Sequence, residues 1–420
     1  MAILLKNATI LNPKADVECV GDVFVSDTGV LLPVPQLLPT GTRVLNASDC
    51  FVTPGLLDIH VHFRDPGCTT SENLQSGAEA AAAGGFTRVV TMPNTVPAGD
   101  SIAWIQRQRE ASVPVQILPA PCVTKGRQGK ELADLESLAP GAVAFTDDGA
   151  MVSDSLVMRN ALTIAARLGK TVMDHAVLPA VAGKGVVREC ALARNLGLPV
   201  FPADAEIGAV AQDIGLARET GAHIHIQHLS CAGSVDLIRA ARKENINVTA
   251  EVSPHHLAFS AEDIPGDDGN YRMNPPLGNP DDVKHLRMAV LDGTISAFAT
   301  DHAPHTVETK QFGFAKAAFG VIGLETAAAV TWDIMVMREG LSAKRWVELW
   351  TSGPAAILGI ASPALVCDAP ADLAVFRKES WIYNAREGKS KSCNSPFDGR
   401  TMELRPVMTF CRGVKVYDQF

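Results

Sequence analysis

The sequence predicts an α/β fold, a (β/α)8 TIM barrel carrying a small β-sandwich domain formed from both termini. Three observations predict it. Eight short β-rich runs alternate with helical stretches between residues 56 and 305. The polar, chemistry-bearing residues gather at the ends of those runs. The two ends of the chain carry short β runs without any long helical pattern.

Residues 1–53 open with "ILLKNATIL" and "DVFVSD", alternating runs that read as strands of the small domain. Pro54-Gly55 marks the entry to the barrel, assigned to 54–365. Its strands are expected at 56–63, 87–94, 115–124, 142–148, 171–176, 223–230, 246–256 and 296–305. Segments such as "LVMRNALTIAARLG" and "AGSVDLIRAARKEN" between them place apolar residues at helical spacing. Residues 366–420, with "ADLAVF" and "VMTFCRGVKVY", return to short β runs and complete the small domain.

With 420 residues, 47% of them hydrophobic and 20% charged, the chain has the composition of a globular protein rather than a disordered or fibrous one. The net charge of −9 argues against nucleic acid as a partner and leaves a small-molecule substrate. Nine scattered cysteines, with no C-x-x-C pair, favour reduced thiols in a cytoplasm. The opening residues read as strand and turn, not as a signal peptide, and no apolar run is long enough for a membrane helix.

A barrel reacts at the C-terminal ends of its strands, and ten of the eleven histidines lie on or beside the predicted ones. "DIHVHFRDPG" places Asp58, His60 and His62 on one face by strand parity, with Arg64 just beyond. Paired imidazoles suit zinc but supply only half of a tetrahedral shell; such pairs can equally be polar lining. Strand 2 ends in Asn94, strand 4 in Asp147-Asp148, strand 5 in Asp174-His175, strand 6 in His228, strand 7 in His255-His256 and strand 8 in Asp301, His302 and His305. Parity puts His228 with Ile224 and Ile226, and so favours it over His223 and His225, which are expected to be structural and bonded against the helical layer. Asp301 shares its face with Ala297 and Ala299 and is the expected ligand and base. Parity does not choose between Asp147 and Asp148. Asp58 is expected to orient one imidazole, Asp65-Pro66-Gly67 to be a turn, and His255 and His256 to be lining or support for the site.

The ligand plan, His-x-His after strand 1, one His after each of strands 5 and 6, and Asp after strand 8, resembles the amidohydrolase superfamily. More closely, "DIHVHFRDPG", "TMPNT", "AFTDDG", "MDHA", "SPHHL", "RMNPPLG", "TDHAPH", "FGVIGLET" and "KSCNSPFDG", in that order along nearly the whole chain, resemble the class I dihydroorotases. The resemblance implies zinc, one or two ions per chain, bound by His60, His62, His175, His228 and Asp301. Asp148, selected by the family spacing, would bridge where related hydantoinases use a carboxylated lysine. It further implies that Arg64, Asn94, Asn274 and His305 hold the substrate carboxylate and that the loop containing Phe319 and Gly320 binds the ring.

The implied reaction is the reversible cyclisation of N-carbamoyl-L-aspartate to L-dihydroorotate in pyrimidine biosynthesis. Coordination lowers the pKa of water from about 16 to near 7, and Asp301 serves as base and then acid. A homo-oligomer such as a dimer, and association with aspartate transcarbamoylase, belong to the same expectation. Two positions depart from the family pattern: Ala318 replaces a usual proline and Thr309 a usual glutamate, which implies a looser loop. The rival readings are a hydantoinase or allantoinase, disfavoured by the missing strand 4 lysine, and a silent subunit supporting aspartate transcarbamoylase, disfavoured because every ligand position is filled.

Overall fold

The computed structural model describes residues 1–420. The chain opens with β1 (Ile3–Asn12), β2 (Val17–Val25), β3 (Leu31–Leu32), β4 (Arg43–Asn46) and β5 (Cys50–Pro54). The barrel strands follow as β6 (Leu56–Val61), β7 (Phe86–Thr91), β8 (Gln116–Pro119), β9 (Ala144–Phe145), β10 (Thr171–Asp174), β11 (Ile224–Ile226), β12 (Val248–Val252) and β13 (Ala297–Phe298). Finally β14 (Leu373–Ile382), β15 (Thr401–Cys411) and β16 (Val414–Asp418) rejoin the first strands in one mixed sheet, ordered β16-β15-β14-β5-β1-β2-β3 with β4 beside β1.

Seven of the eight barrel strands fall inside the expected runs, β7 begins one residue ahead of its run, and the strands pair in parallel with sequence neighbours. Backbone bonds from Val143 to Pro119 (3.1 Å) and Thr146 to Pro121 (3.0 Å) join β8 to β9. The bond from His62 to the carbonyl of His302 (2.9 Å) closes the ring between the first strand and the last. The strands are shorter than the runs that announced them, and their polar ends lie in loops above the barrel. One predicted strand end is a helix instead: Pro254–Ala258 turns helical, with Pro254 at its first position, where a missing N–H costs nothing.

The helices start where side chains can satisfy their free N–H groups. Asn73 and Asn279 each form a capping box, with Ser76 and Asp282, and Asp154 caps the helix Ser155–Arg167. That helix buries Met158, Ala161, Leu162 and Ala165, the i, i+3, i+4, i+7 stripe expected of a helix packed on a barrel. Inside the barrel floor lie Leu57, Ile59, Val90, Met92, Ala144, Met173, Ala297 and Ala299.

The terminal sheet buries Leu5, Val25, Val52, Leu373, Val375 and Phe410 in a core of its own. It abuts the barrel through aromatic contacts, Phe51 with Trp332 (centroids 4.7 Å apart) and Phe376 edge-on to Trp346 (5.7 Å). Between β14 and β15 the chain leaves this sheet and crosses to the barrel mouth. There Asn394 donates to the carbonyls of Ala303 (3.1 Å) and Gly320 (3.0 Å) and accepts from the His305 amide (3.0 Å). No helix is long and apolar enough to cross a membrane.

Candidate active site

Strand parity explains only part of how the histidines converge. Ile59 joins Leu57 in the barrel floor while Val61 packs in the outer core, because the β6 register shifts between Asp58 and Val61. His225 lines the barrel interior, since its ring reaches Thr249 (2.9 Å) and Glu251 (3.0 Å), and His223 bonds Thr171 and Thr249. These two are structural as expected, but their partners are strand residues and not the helical layer. His228 reaches the site for a different reason than parity: β11 has ended and its backbone turns to φ 33°. Asp301 and Arg64 sit at φ 48° and φ 57° in the corresponding turns. Three non-glycine residues in this sparsely populated region are the strained backbone that functional sites tend to hold.

Asp148 stands at the centre. Its carboxylate lies 3.0 Å from His60 Nε2, 3.4 Å from His62 Nε2, 3.9 Å from His175 Nδ1 and 4.0 Å from His228 Nε2. Asp301 Oδ1 is 3.0 Å from His62 Nε2 and 3.6 Å from His60 Nε2. Asp147 points away and accepts from the Thr124 amide and hydroxyl, which resolves the pair that parity left open. Two groups suited to a metal ion result, His60 with His62 and Asp148, and Asp148 with His175 and His228, so Asp148 is common to both.

The donor chemistry fits a cation. Glu251 Oε1 sits 2.7 Å from His60 Nδ1, and because a carboxylate only accepts, the imidazole proton is on Nδ1. His60 Nε2 then faces Asp148 as a second acceptor and has no hydrogen-bond partner of its own. Positive charge is needed between them, as a proton or a metal ion. The same demand shows in the titration: burial works against charging His60, yet Asp148, Asp301 and Glu251 raise its pKa well above the usual imidazole value. Burial likewise opposes ionisation of Asp148, but His60, His62 and His175 hold its pKa well below the usual carboxylate range.

One cavity of about 220 Å³ is lined by His62, Asp148, His175, His228 and Asp301 together with Arg64, Asn94, Asn274, His305, Phe319 and Gly320. Arg64 Nη2 lies 3.4 Å from His305 Nε2, and that imidazole also meets the Phe319 carbonyl at 2.6 Å. Burial and the Arg64 charge push the His305 pKa down to about 3, so the ring is neutral near pH 7. Gly320, at φ 128°, admits no side chain: a Cβ there would lie 2.6 Å from that of Ala303.

The comparisons with known proteins decide the family. A family model described as dihydro-orotase-like matches residues 50–234. The dihydroorotase of Pelotomaculum thermopropionicum is 40% identical over 98% of this chain and 98% of its own length, and that of Aquifex aeolicus 38% identical over 99% of each. The chain belongs to the dihydroorotase family. Among solved structures, an L-hydantoinase (dihydropyrimidinase) from Arthrobacter aurescens superposes with a TM-score of 0.84 over 99% of this chain and 96% of that one. At 23% identity this likeness concerns the fold, a barrel with a β-sandwich.

Against the expectations from the sequence, one further residue, Glu251, supports the site and one expected role changes. Asp58 does not touch an imidazole. It accepts from the backbone of His60 (3.1 Å) and from the Thr300 amide (3.1 Å) and hydroxyl (2.5 Å), bracing the first barrel strand against the last. The orienting carboxylate is Glu251, fully buried between His60 and His225 and held down to about pKa 2 by them against the effect of burial. An acid in mid-strand between Ala250 and Val252 was the available signal for it. Asn94 Oδ1 accepts from His62 Nδ1 (2.8 Å), and Asn274 Nδ2 contacts His175 Nε2 (3.0 Å), so both asparagines also orient imidazoles. His256 Nε2 donates to the Pro275 carbonyl (3.0 Å), bracing the segment that carries Asn274.

Proposed function

We propose that this chain catalyses the reversible hydrolysis of L-dihydroorotate to N-carbamoyl-L-aspartate, with zinc, one or two ions, held by His60, His62, Asp148, His175, His228 and Asp301. The observation that carries the reading is the single cavity in which His62, Asp148, His175, His228 and Asp301 meet Arg64, Asn94, Asn274 and His305, with His60 buried behind Asp148 at 3.0 Å. Membership of the dihydroorotase family supports the same activity.

Zinc in such a site supplies a Lewis acid that polarises the ring carbonyl and makes water nucleophilic at neutral pH. The remaining work belongs to the chain. Arg64 grips the substrate carboxylate through its guanidinium fork, and Asn94, Asn274 and neutral His305 add uncharged hydrogen bonds. The Phe319–Gly320 backbone closes against the ring, where only glycine fits. Asp301 accepts the proton from the attacking water and passes it to the ring nitrogen as the C–N bond breaks. Ring closure runs the same transfers backwards, with loss of water. Glu251 and Asn94 keep the Nδ1 protons of His60 and His62 in place, so that both Nε2 atoms stay free to act as ligands.

The reading places the protein in the cytoplasm, supported by nine free cysteines, and as a homo-oligomer that can associate with aspartate transcarbamoylase. Sedimentation of the chain alone and with that enzyme tests both associations. The activity is tested by following ring opening of L-dihydroorotate by the purified chain, with metal analysis of the same sample and hydantoin and allantoin as controls. Turnover of dihydroorotate alone, lost on chelation and restored by zinc, is expected. A zinc-loaded chain inactive on dihydroorotate overturns the reading in favour of a partner-dependent or silent subunit.

A further inference from the structure

We propose that Lys310 is a positioning residue for substrate binding: its ammonium gathers the carbonyls of Arg272, Ala318 and Gly320, and so fixes the Phe319–Gly320 backbone against the segment that leads to Asn274. The inference rests on the dihydroorotase reading above, since it concerns how that site holds its substrate.

The geometry is specific. Lys310 Nζ donates to Ala318 O (2.8 Å), Gly320 O (2.9 Å) and Arg272 O (3.2 Å), which uses all three of its N–H bonds. Its partners are backbone carbonyls from two separate segments, one on each side of Phe319 and one two residues before Asn274. Other contacts close the same loop. The Gly320 amide donates to Arg272 O (2.9 Å), Arg272 Nη1 to Ala317 O (2.5 Å), and the Arg272 guanidinium lies 4.1 Å from the centre of the Phe319 ring. The Ala318 amide donates to Thr309 O (2.9 Å), a bond that the proline usual at this position could not make.

A structural role alone does not account for a lysine here. Its side chain is buried, and burial, with the Arg272 charge adding and Asp268 opposing, pushes the pKa down to about 7. A free lysine titrates near 10.4. Between those values the unfolded chain binds a proton that the folded chain has released, so the buried amine weakens folding as pH falls, fully so below 7. An apolar side chain of similar length would carry no such penalty. Its carbonyls would mostly keep partners too: Arg272 O retains the Gly320 amide and Gly320 O retains Asn394 Nδ2, while Ala318 is a half-buried residue. What the ammonium adds is a fixed arrangement of three carbonyls beside the ligand.

The groups around it are Arg272 on one side, Glu308 on its own short helix, and His305, Asp267, Asp268, Arg386 and Asp398 across an adjoining cavity of about 290 Å³. His305 is already neutral and does not titrate in this range. Loss of the Lys310 proton therefore releases the loop as pH rises through about 7, and substrate binding weakens in the same direction.

The experiment compares the wild-type enzyme with Lys310→Met and Lys310→Arg, reading KM and kcat for L-dihydroorotate from about pH 6 to about pH 9, with bound metal and thermal midpoint measured on each. For Lys310→Met at the acid end the expected result is KM raised about tenfold, the loss of one charge-assisted hydrogen bond's worth of order, with kcat within about threefold. Metal content is unchanged and the midpoint equal or higher. Wild-type KM climbs through neutrality while that of Lys310→Met stays flat, and Lys310→Arg, charged throughout, recovers part of the affinity above pH 8 or so. An active wild type with an unchanged KM in Lys310→Met, or a variant that keeps the wild-type pH slope, overturns the proposal. So does a Lys310→Met chain that fails to fold, because the role would then be structural. A wild type inactive on dihydroorotate instead overturns the functional reading.

Discussion

Glu251 is where a single change tests the architecture beneath the proposed metal ligands. Its carboxylate is fully buried and reaches His60 Nδ1 at 2.7 Å, His225 Nε2 at 3.0 Å and the His228 amide at 3.3 Å. Glu251→Gln keeps the shape and one acceptor oxygen. If that oxygen stays on His60, the amide nitrogen must face His225, which can accept only by moving its proton to Nδ1, where Thr249 Oγ1 lies 2.9 Å away. The substitution is therefore tolerated geometrically, and what it removes is charge. Loss of a carboxylate behind a ligating imidazole costs about 10- to 100-fold in metal affinity or activity, or roughly 1.4 to 2.7 kcal/mol. Glu251→Ala goes further, leaving two buried imidazole N–H groups and an amide without a partner, each a loss that costs about 1 to 3 kcal/mol of stability. The assay is zinc affinity by competition with a chromogenic chelator, alongside kcat/KM at saturating zinc and the unfolding midpoint. Zinc affinity and turnover both unchanged in Glu251→Gln would refute the claim that this carboxylate holds His60 in its ligating tautomer.

Asp301→Asn is expected to nearly abolish turnover while retaining part of the metal, as read by steady-state kinetics and metal analysis; normal turnover removes its proton-transfer role. Gly320→Ala forces a side chain into φ 128° and against Ala303, at a cost of about 1 to 3 kcal/mol. The expected result is a raised KM for dihydroorotate, and a wild-type KM would mean that the loop does not close on the ring. Because the His305 pKa lies near 3, protonation of this ring is confined to strongly acid conditions. Over about pH 5 to 7 His305→Gln is then expected to change the level of KM but not its slope with pH.

The barrel was legible because each strand is a short β-rich run between helical stretches, and because ten histidines fall on those runs. The site was legible to the extent that its residues are rare types at strand ends. Parity failed at the two places where the backbone departs from an ideal strand, the register shift after Asp58 and the turn at His228. The helix at Pro254–Ala258 was hidden by a continuous run of apolar and imidazole side chains, although Pro254 was an available sign of a helix start. Glu251 and Lys310 were missed for a common physical reason. A lone charge in sequence reads as solvated surface, and only the closed barrel and the folded-back loop show that each is buried against specific partners.

The fold superposes on hydantoinases while the sequence matches dihydroorotases, and the two substrate classes differ most simply in a ring carboxylate. Selection for that group must lie in residues that do not define the fold, and Arg64 is the residue proposed above to provide it. It lies within the cavity, 3.4 Å from the His305 imidazole that also meets the Phe319 carbonyl. A hydrogen bond to a charged group contributes about 1.5 to 3 kcal/mol, so a paired guanidinium and carboxylate should favour dihydroorotate over dihydrouracil, the same ring without the carboxylate, by at least about tenfold to 100-fold. Arg64→Met removes the charge while keeping an unbranched apolar stem. The expected outcome is a fall in kcat/KM for dihydroorotate by that factor, little change for dihydrouracil, and so a collapse of the ratio between them. If the ratio instead survives and both substrates decline together, Arg64 is acting on the catalytic groups in general, and discrimination must come from Asn94, Asn274 and the Phe319–Gly320 backbone.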